Sequence, residues 1–269
     1  MSQIAAEQAF TTIDTNRRGI PLTRLIGVEL RKMIDTRSGL WLLLAIVAIT
    51  GLIVSVMTGV AVYDNEAMDL DVYLSSNSVA MGVLLPILGI MTVTSEWGQR
   101  TSLTTFTLEP RRTRVIVAKF VSGLILALIG LCLVWVLSFA AFGIQNLLAN
   151  NGASVHVKLS FLVDWAMALI GWFVIGFAFG MLLPNTAVAI VFFFVFRYVL
   201  PTVLAVLSVV FPSFGDILPW IDFNTAIGQL ASGDTDGAQG WYRMLATSAT
   251  WMGIPLILGS VLLLRREVK

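Results

Sequence analysis

Charge, cysteine and histidine are all scarce in this chain. Only 12% of its 269 residues are charged, about half the share found in a soluble globular domain. A lone cysteine, Cys132, excludes a disulfide framework or a thiolate metal site within one chain. The lone histidine, His156, falls in a loop between apolar runs, so there is no His/Cys ligand cluster. No G-x-x-x-x-G-K-[ST] stretch occurs, which removes the glycine-rich backbone cradle and lysine that hold nucleotide phosphates. No nucleophile–base pair stands out either. The chain is therefore read as no enzyme, with no catalytic, cofactor-binding or metal-binding residue. The first 38 residues contain no continuous apolar run, which speaks against a cleaved signal peptide.

What is present is apolar. The chain is 57% hydrophobic, with a mean hydropathy of +0.88. A bilayer core of about 30 Å needs roughly 20 apolar residues in a helix. Runs of that kind lie at 40–62, 79–94, 115–142, 161–183, 187–210 and 244–264. The second run extends backward through Tyr73 at modest polarity, and the third is long enough to tilt or protrude. The expectation is an all-α integral membrane protein. It comprises a mobile tail (1–20), an amphipathic interfacial helix (21–38) and a six-helix transmembrane domain (39–269).

Charge sets the expected orientation. All basic residues except Lys158, Arg197 and Arg243 fall in the N-terminal region, the loop after span two, or the C-terminal tail. Basic loops stay on the cytoplasmic side. Asp64, Glu66, Asp69, Asp71, Asp216, Asp222, Asp234 and Asp236 fall in the opposite loops. Both termini are thus expected in the cytoplasm, with the protein multi-pass in a cell membrane, here a bacterial plasma membrane.

Two polar segments carry further information. In the lead-in, Leu22, Leu25, Ile26, Glu29, Leu30, Met33 and Ile34 share one helical face, with Arg24, Arg31 and Lys32 largely off it. Such a helix suits the inner interface. Ser38-Gly39 is read as the break before Trp41, an interfacial anchor. The second segment, Thr94–Phe120, is a charged island carrying Arg100, Arg111, Arg112, Arg114 and Lys119 beside the apolar Leu103, Phe106 and Leu108. Topology alone accounts for the basic residues. It does not account for the apolar ones, which suit packing into a partner groove.

The chain resembles the permease subunits of type-2 ABC exporters over nearly its whole length. The sharpest local likeness is Glu96, Gly98, Arg100-Thr101, Pro110-Arg111-Arg112 and Lys119, although Gly98 stands earlier than the family's Gly-Thr pair, with Gln99-Arg100 intervening. The resemblance implies a coupling helix, roughly Gln99–Phe106, seated in a separate ATPase subunit, with Glu96, Gly98, Arg100, Thr101, Leu103 and Phe106 at the contact. ATP and Mg²⁺ would belong to that partner. It also implies a homodimer, or a heterodimer with a second permease. Lipid is the other expected neighbour, and nucleic acid is not expected. The cargo stays open. An ion-gradient transporter and a non-transporting scaffold or immunity protein remain as alternatives.

Within the spans, Arg197 lies about ten residues into the fifth run, near mid-depth, where a charge must face protein, water or a partner. It is expected to line a route or latch two spans, with Phe192, Phe193, Phe194, Phe196 and Tyr198 as possible cation–π faces. Asp164 is expected at the outer mouth, unpaired with Arg197. Gly176-x-x-x-Gly180 permits close helix approach, and Pro86, Pro201 and Pro255 mark bends. The stretch Phe211–Arg243 is too apolar for a solvated loop. It is expected to form short helices dipping back into the outer leaflet, followed by a turn over Ser232–Gly240.

Overall fold

The computed structural model describes residues 20–98, 109, 111–149, 157–232 and 237–265. Among them the regular structure is helical, with no strand. An apolar chain whose backbone must satisfy its own hydrogen bonds has no other open-ended solution in hydrocarbon. A lead-in helix α1 (Leu22–Asp35) precedes α2 (Arg37–Tyr63), α3 (Leu70–Gly98), α4 (Arg112–Ala149) and α5 (Leu159–Leu182). The fifth long helix, α6, covers Thr186–Val210. After a 3₁₀ turn at Pro212–Phe214 come the short helices α7 (Leu218–Ile221) and α8 (Phe223–Ser232). The last long helix, α9, covers Gly237–Arg265. The six long helices are each long and apolar enough to cross a membrane.

These helices differ from the six expected runs mainly at their ends. α3 starts at Leu70, nine residues before the expected boundary, because Tyr73 and Asn77 are fully buried there rather than solvated. Tyr73 donates its hydroxyl to Gln145 of α4 (2.7 Å), and Gln145 in turn donates to the Met68 carbonyl (3.2 Å). With 38 residues, α4 is roughly 57 Å long at 1.5 Å per residue, well beyond a bilayer core. The break between α1 and α2 falls at Thr36, not at Ser38-Gly39. Thr36 is extended and its hydroxyl accepts the Gly39 amide, so Ser38 and Gly39 form the first turn of α2. Gly39 is needed there, since a Cβ would lie 1.9 Å from the Met33 carbonyl oxygen.

The bundle is built on α3 and α5, whose apolar windows are 67% and 72% buried, against 22%, 17% and 22% for α2, α6 and α9. Small residues allow this pairing. A Cβ on Gly176 would meet the Pro86 carbonyl oxygen at 2.0 Å, and one on Gly89 the Phe173 carbonyl oxygen at 2.4 Å. Gly180 lies against Ile90 in the same seam. The Gly176/Gly180 spacing thus marks a real helix–helix seam, with Gly89 contributed from the other side. On the far side of α5, Gly259 of α9 packs onto Met181.

Two of the three prolines follow π-helical turns. Val195–Val199 precedes Pro201, and Ala249–Gly253 precedes Pro255. A proline ring clashes with the carbonyl four residues back, and widening the preceding turn relieves that contact. Of the turn expected over Ser232–Gly240, Ser232 and the stretch from Gly237 are helical, and residues 233–236 lie outside the described residues. Of the apolar residues beyond Phe211, Phe223, Ile227 and Leu230 of α8 are buried, with α8 lying along α5. Phe211, Ile217 and Trp220 remain exposed.

Candidate functional site

The clearest polar construction lies where α1, the end of α3 and the start of α4 meet. Glu29 and Lys32 stand one helical turn apart on α1 and so share a face. Glu96 lies in the last turn of α3, and Lys119 two turns into α4. Lys32 Nζ is 2.6 Å from Glu29 Oε1 and 2.6 Å from Glu96 Oε1. Lys119 Nζ is 2.7 Å from Glu29 Oε2 and 3.2 Å from Glu96 Oε2. The four side chains close a ring in which each ammonium bridges both carboxylates and each carboxylate bridges both ammoniums.

This ring is dry. The side chains of Glu29, Glu96 and Lys119 are 4%, 6% and 7% exposed, and only Lys32, at 36%, reaches solvent. Charges removed from water are tolerated only when paired and hydrogen-bonded, and here two acids balance two bases. Burial disfavours the Lys32 ammonium. Hydrogen bonds and Coulomb attraction from Glu29 and Glu96 outweigh that effect and hold its pKa above the ordinary lysine value. Glu96 also lies at a helix C-terminus, where the backbone dipole repels an acid, and the two lysines offset this.

Further contacts tie the neighbouring ends together. Glu109 Oε2 accepts from Arg114 Nη1 (2.9 Å), and Glu109 Oε1 accepts the Arg111 amide (3.3 Å). Arg114 Nη2 donates to the Ile20 carbonyl ahead of α1. Arg112 Nη1 donates to the Leu263 carbonyl (2.7 Å), capping the exposed acceptors at the end of α9. The starts of α1 and α4 and the end of α9 are thus joined by side chains of the basic island.

Of the residues expected at a partner contact, Glu96 is buried and paired with the two lysines. Gly98 is the last residue of α3. Arg100, Thr101, Leu103 and Phe106, with the helix expected over Gln99–Phe106, lie outside the described residues. Lys32, expected off the buried face of α1, instead reaches Glu96, because it stands one turn from Glu29 at the edge of that face and its long stem extends inward. Glu29 and Glu109 were not among the expected site residues. Glu29 did carry a signal, being an acid on the apolar stripe of α1, where an unpaired carboxylate is too costly to bury.

A second polar point lies deeper. Arg197 sits in the π-helical turn of α6 and donates from Nη1 to Asn224 Oδ1 (2.7 Å). Asn224 Nδ2 in turn donates to the Phe196 carbonyl (3.4 Å). Asn224 belongs to the first turn of α8, whose amide it offers to Asp222 Oδ1 at 3.0 Å. One asparagine therefore fastens α8 to the widened turn of α6. The guanidinium lies 4.3 Å above the Trp172 ring of α5 and 5.6 Å from that of Tyr198. Of the aromatic residues expected around Arg197, only Tyr198 takes this role, and the nearer ring comes from another helix. Asp164 is partly exposed and makes no hydrogen bond or ion pair among the described residues. No family model matches this chain, and no curated protein matches it.

Proposed function

We propose that the chain is the transmembrane permease subunit of an ATP-driven exporter of the type-2 ABC class. Its termini and basic island would face the cytoplasm of a bacterial cell, and its outer helices α7 and α8 would dip into the outer leaflet. It would act as a dimer, with itself or a second permease, since one six-span chain supplies half of a two-fold pathway. A separate ATPase subunit would hold ATP and Mg²⁺ and perform the hydrolysis.

The observation that supports this most directly is the ring of Glu29, Lys32, Glu96 and Lys119. It clamps the lead-in helix to both helix ends that bracket the 99–108 loop. A push on that loop would therefore be delivered to α1, α3 and α4 together rather than absorbed by a floppy connector. That is the mechanical requirement for a motor acting from outside the membrane. Arg112, bonded to the end of α9, extends the same body to the last span. Closure of the motor subunits would rotate this junction, and the bundle would follow, with α3 and α5 moving as one unit because their backbones touch. The apolar, aromatic-rich spans favour a hydrophobic or amphipathic cargo.

Affinity purification of the tagged protein from its native membrane in mild detergent tests the reading. An ATPase chain is expected at one per permease. It should be lost in an Arg100→Ala/Leu103→Ala variant that still purifies as a monodisperse species. Repeated recovery without any ATPase would overturn the reading and favour a gradient-driven transporter or a scaffold.

A further inference from the structure

A cavity of about 170 Å³ lies inside the bundle, between α3, α5 and α6 and closed on one side by α8. Its polar lining comes from Ser78, Arg197 and Asn224, and its apolar lining includes Val79 and the Trp172 ring. Gly228 of α8 also lines it, and a Cβ there would meet nothing within 4 Å. Val79 is 71% exposed, so the cavity opens towards the flank of α3, a surface that faces lipid if the six helices span a bilayer.

The polar groups beside this cavity are incompletely satisfied among the described residues. Arg197 uses Nη1 on Asn224, while its Nε is buried with no partner among the described residues. The Ser78 hydroxyl oxygen accepts from Trp165 Nε1 (2.7 Å), leaving its own proton without an acceptor among the described residues. No carboxylate forms an ion pair with Arg197 among those residues. Asp222 attracts it electrostatically, but its oxygens are held by the Asn224 amide and the Thr225 hydroxyl. A guanidinium in the middle of α6, stacked on one face by Trp172 and with no carboxylate in direct contact among the described residues, keeps capacity to bind an anion.

We infer that this cavity binds a single oxyanion group, a carboxylate or phosphate, carried by an amphiphile whose apolar tail leaves past Val79. Arg197 supplies the charge, Ser78 the second donor, and the indole face a wall for the first methylenes. The volume admits a headgroup but not a chain, so the tail must remain outside. The inference concerns binding alone and holds whether or not a motor subunit drives the protein.

Melting of the purified full chain in neutral detergent, with native mass spectrometry for stoichiometry, tests this. Four probes are compared: oleate, oleoyl-lysophosphatidate, inorganic phosphate and oleyl alcohol. Oleate and oleoyl-lysophosphatidate are expected to raise the melting midpoint saturably, with one molecule per chain, while oleyl alcohol does not. Arg197→Gln should weaken binding about tenfold or more, the loss of a charge-assisted pair. Gly228→Leu, which fills the cavity while leaving the arginine in the sequence, should abolish binding while the chain still folds. Phosphate binding as tight as that of the lysophosphatidate would keep the oxyanion site but assign its ligand to the aqueous phase. Equal binding of oleyl alcohol and oleate, or affinities within about twofold of wild type in both variants, would overturn the inference.

Discussion

Deleting Lys119 while keeping its volume, as in Lys119→Met, leaves the carboxylates of Glu29 and Glu96 facing one half-exposed ammonium. The ring passes from neutral to one net negative charge in a place where water cannot compensate, because both acids are almost fully buried. Removing one partner of a buried pair costs about 3–5 kcal/mol. Lys32 still touches both acids here, so the lower end, about 3 kcal/mol, is expected. Glu29→Leu does the converse, leaving two ammoniums on one carboxylate, at a similar cost of about 3 kcal/mol. The double variant restores neutrality with Lys32 and Glu96 as a pair, and two apolar side chains fill the vacated space. Its cost should be near 3 kcal/mol rather than the sum of roughly 6, a coupling of about 3 kcal/mol. Equilibrium unfolding in mixed micelles, followed by tryptophan fluorescence, measures all four corners of the cycle. Single losses under about 1 kcal/mol, or a double variant that costs the full sum, would refute the closed ring.

Four other outcomes are expected. The raised Lys32 pKa means that its stabilisation is fully present below the unfolded lysine value of about 10.4 and is lost as pH rises through the folded value. The melting gap between wild type and Lys32→Gln should therefore hold steady from neutral pH to about pH 10 and shrink above it; a gap already closing between neutral pH and about pH 9 would contradict the assignment. Gly176→Ala places a Cβ 2.0 Å from a backbone oxygen of α3 that cannot swing away, so a loss of about 3 kcal/mol or failure to fold is expected. Gly51→Ala, which meets nothing within 4 Å, should be neutral in the same unfolding assay. Arg112→Ala removes the cap on the Leu263 carbonyl, costing about 1.5 kcal/mol. Hydrogen exchange should speed up in the last turn of α9, and unchanged protection there would count against the link.

Six apolar helices were legible because the bilayer imposes a length and a composition that a single chain displays openly. The Gly176/Gly180 spacing permitted a close helix approach without establishing one, since such pairs recur by chance, and Gly89 on the partner helix gave no local sign of completing the seam. The ring was less legible. Its members stand at 29, 32, 96 and 119, on three helices that only folding brings together. Glu29 on an apolar stripe announced that a partner existed without naming it. Arg197 announced itself by depth, but Asn224 did not, because nothing local in Phe223–Ser232 says that this helix returns to pack along α5. The break at Thr36 was misplaced because Ser38-Gly39 reads as a helix stop. Its glycine instead serves a close backbone approach inside the first turn of α2.

A photo-crosslinking residue at position 103 in intact native membranes reads directly whether the proposed motor subunit grasps the 99–108 loop. The expected result is one dominant adduct with a cytoplasmic subunit whose sequence carries a G-x-x-x-x-G-K-[ST] phosphate loop, and its disappearance when that subunit is deleted. Adducts confined to lipid, or to a second copy of this chain, would contradict the claim that the ring relays force from an ATPase.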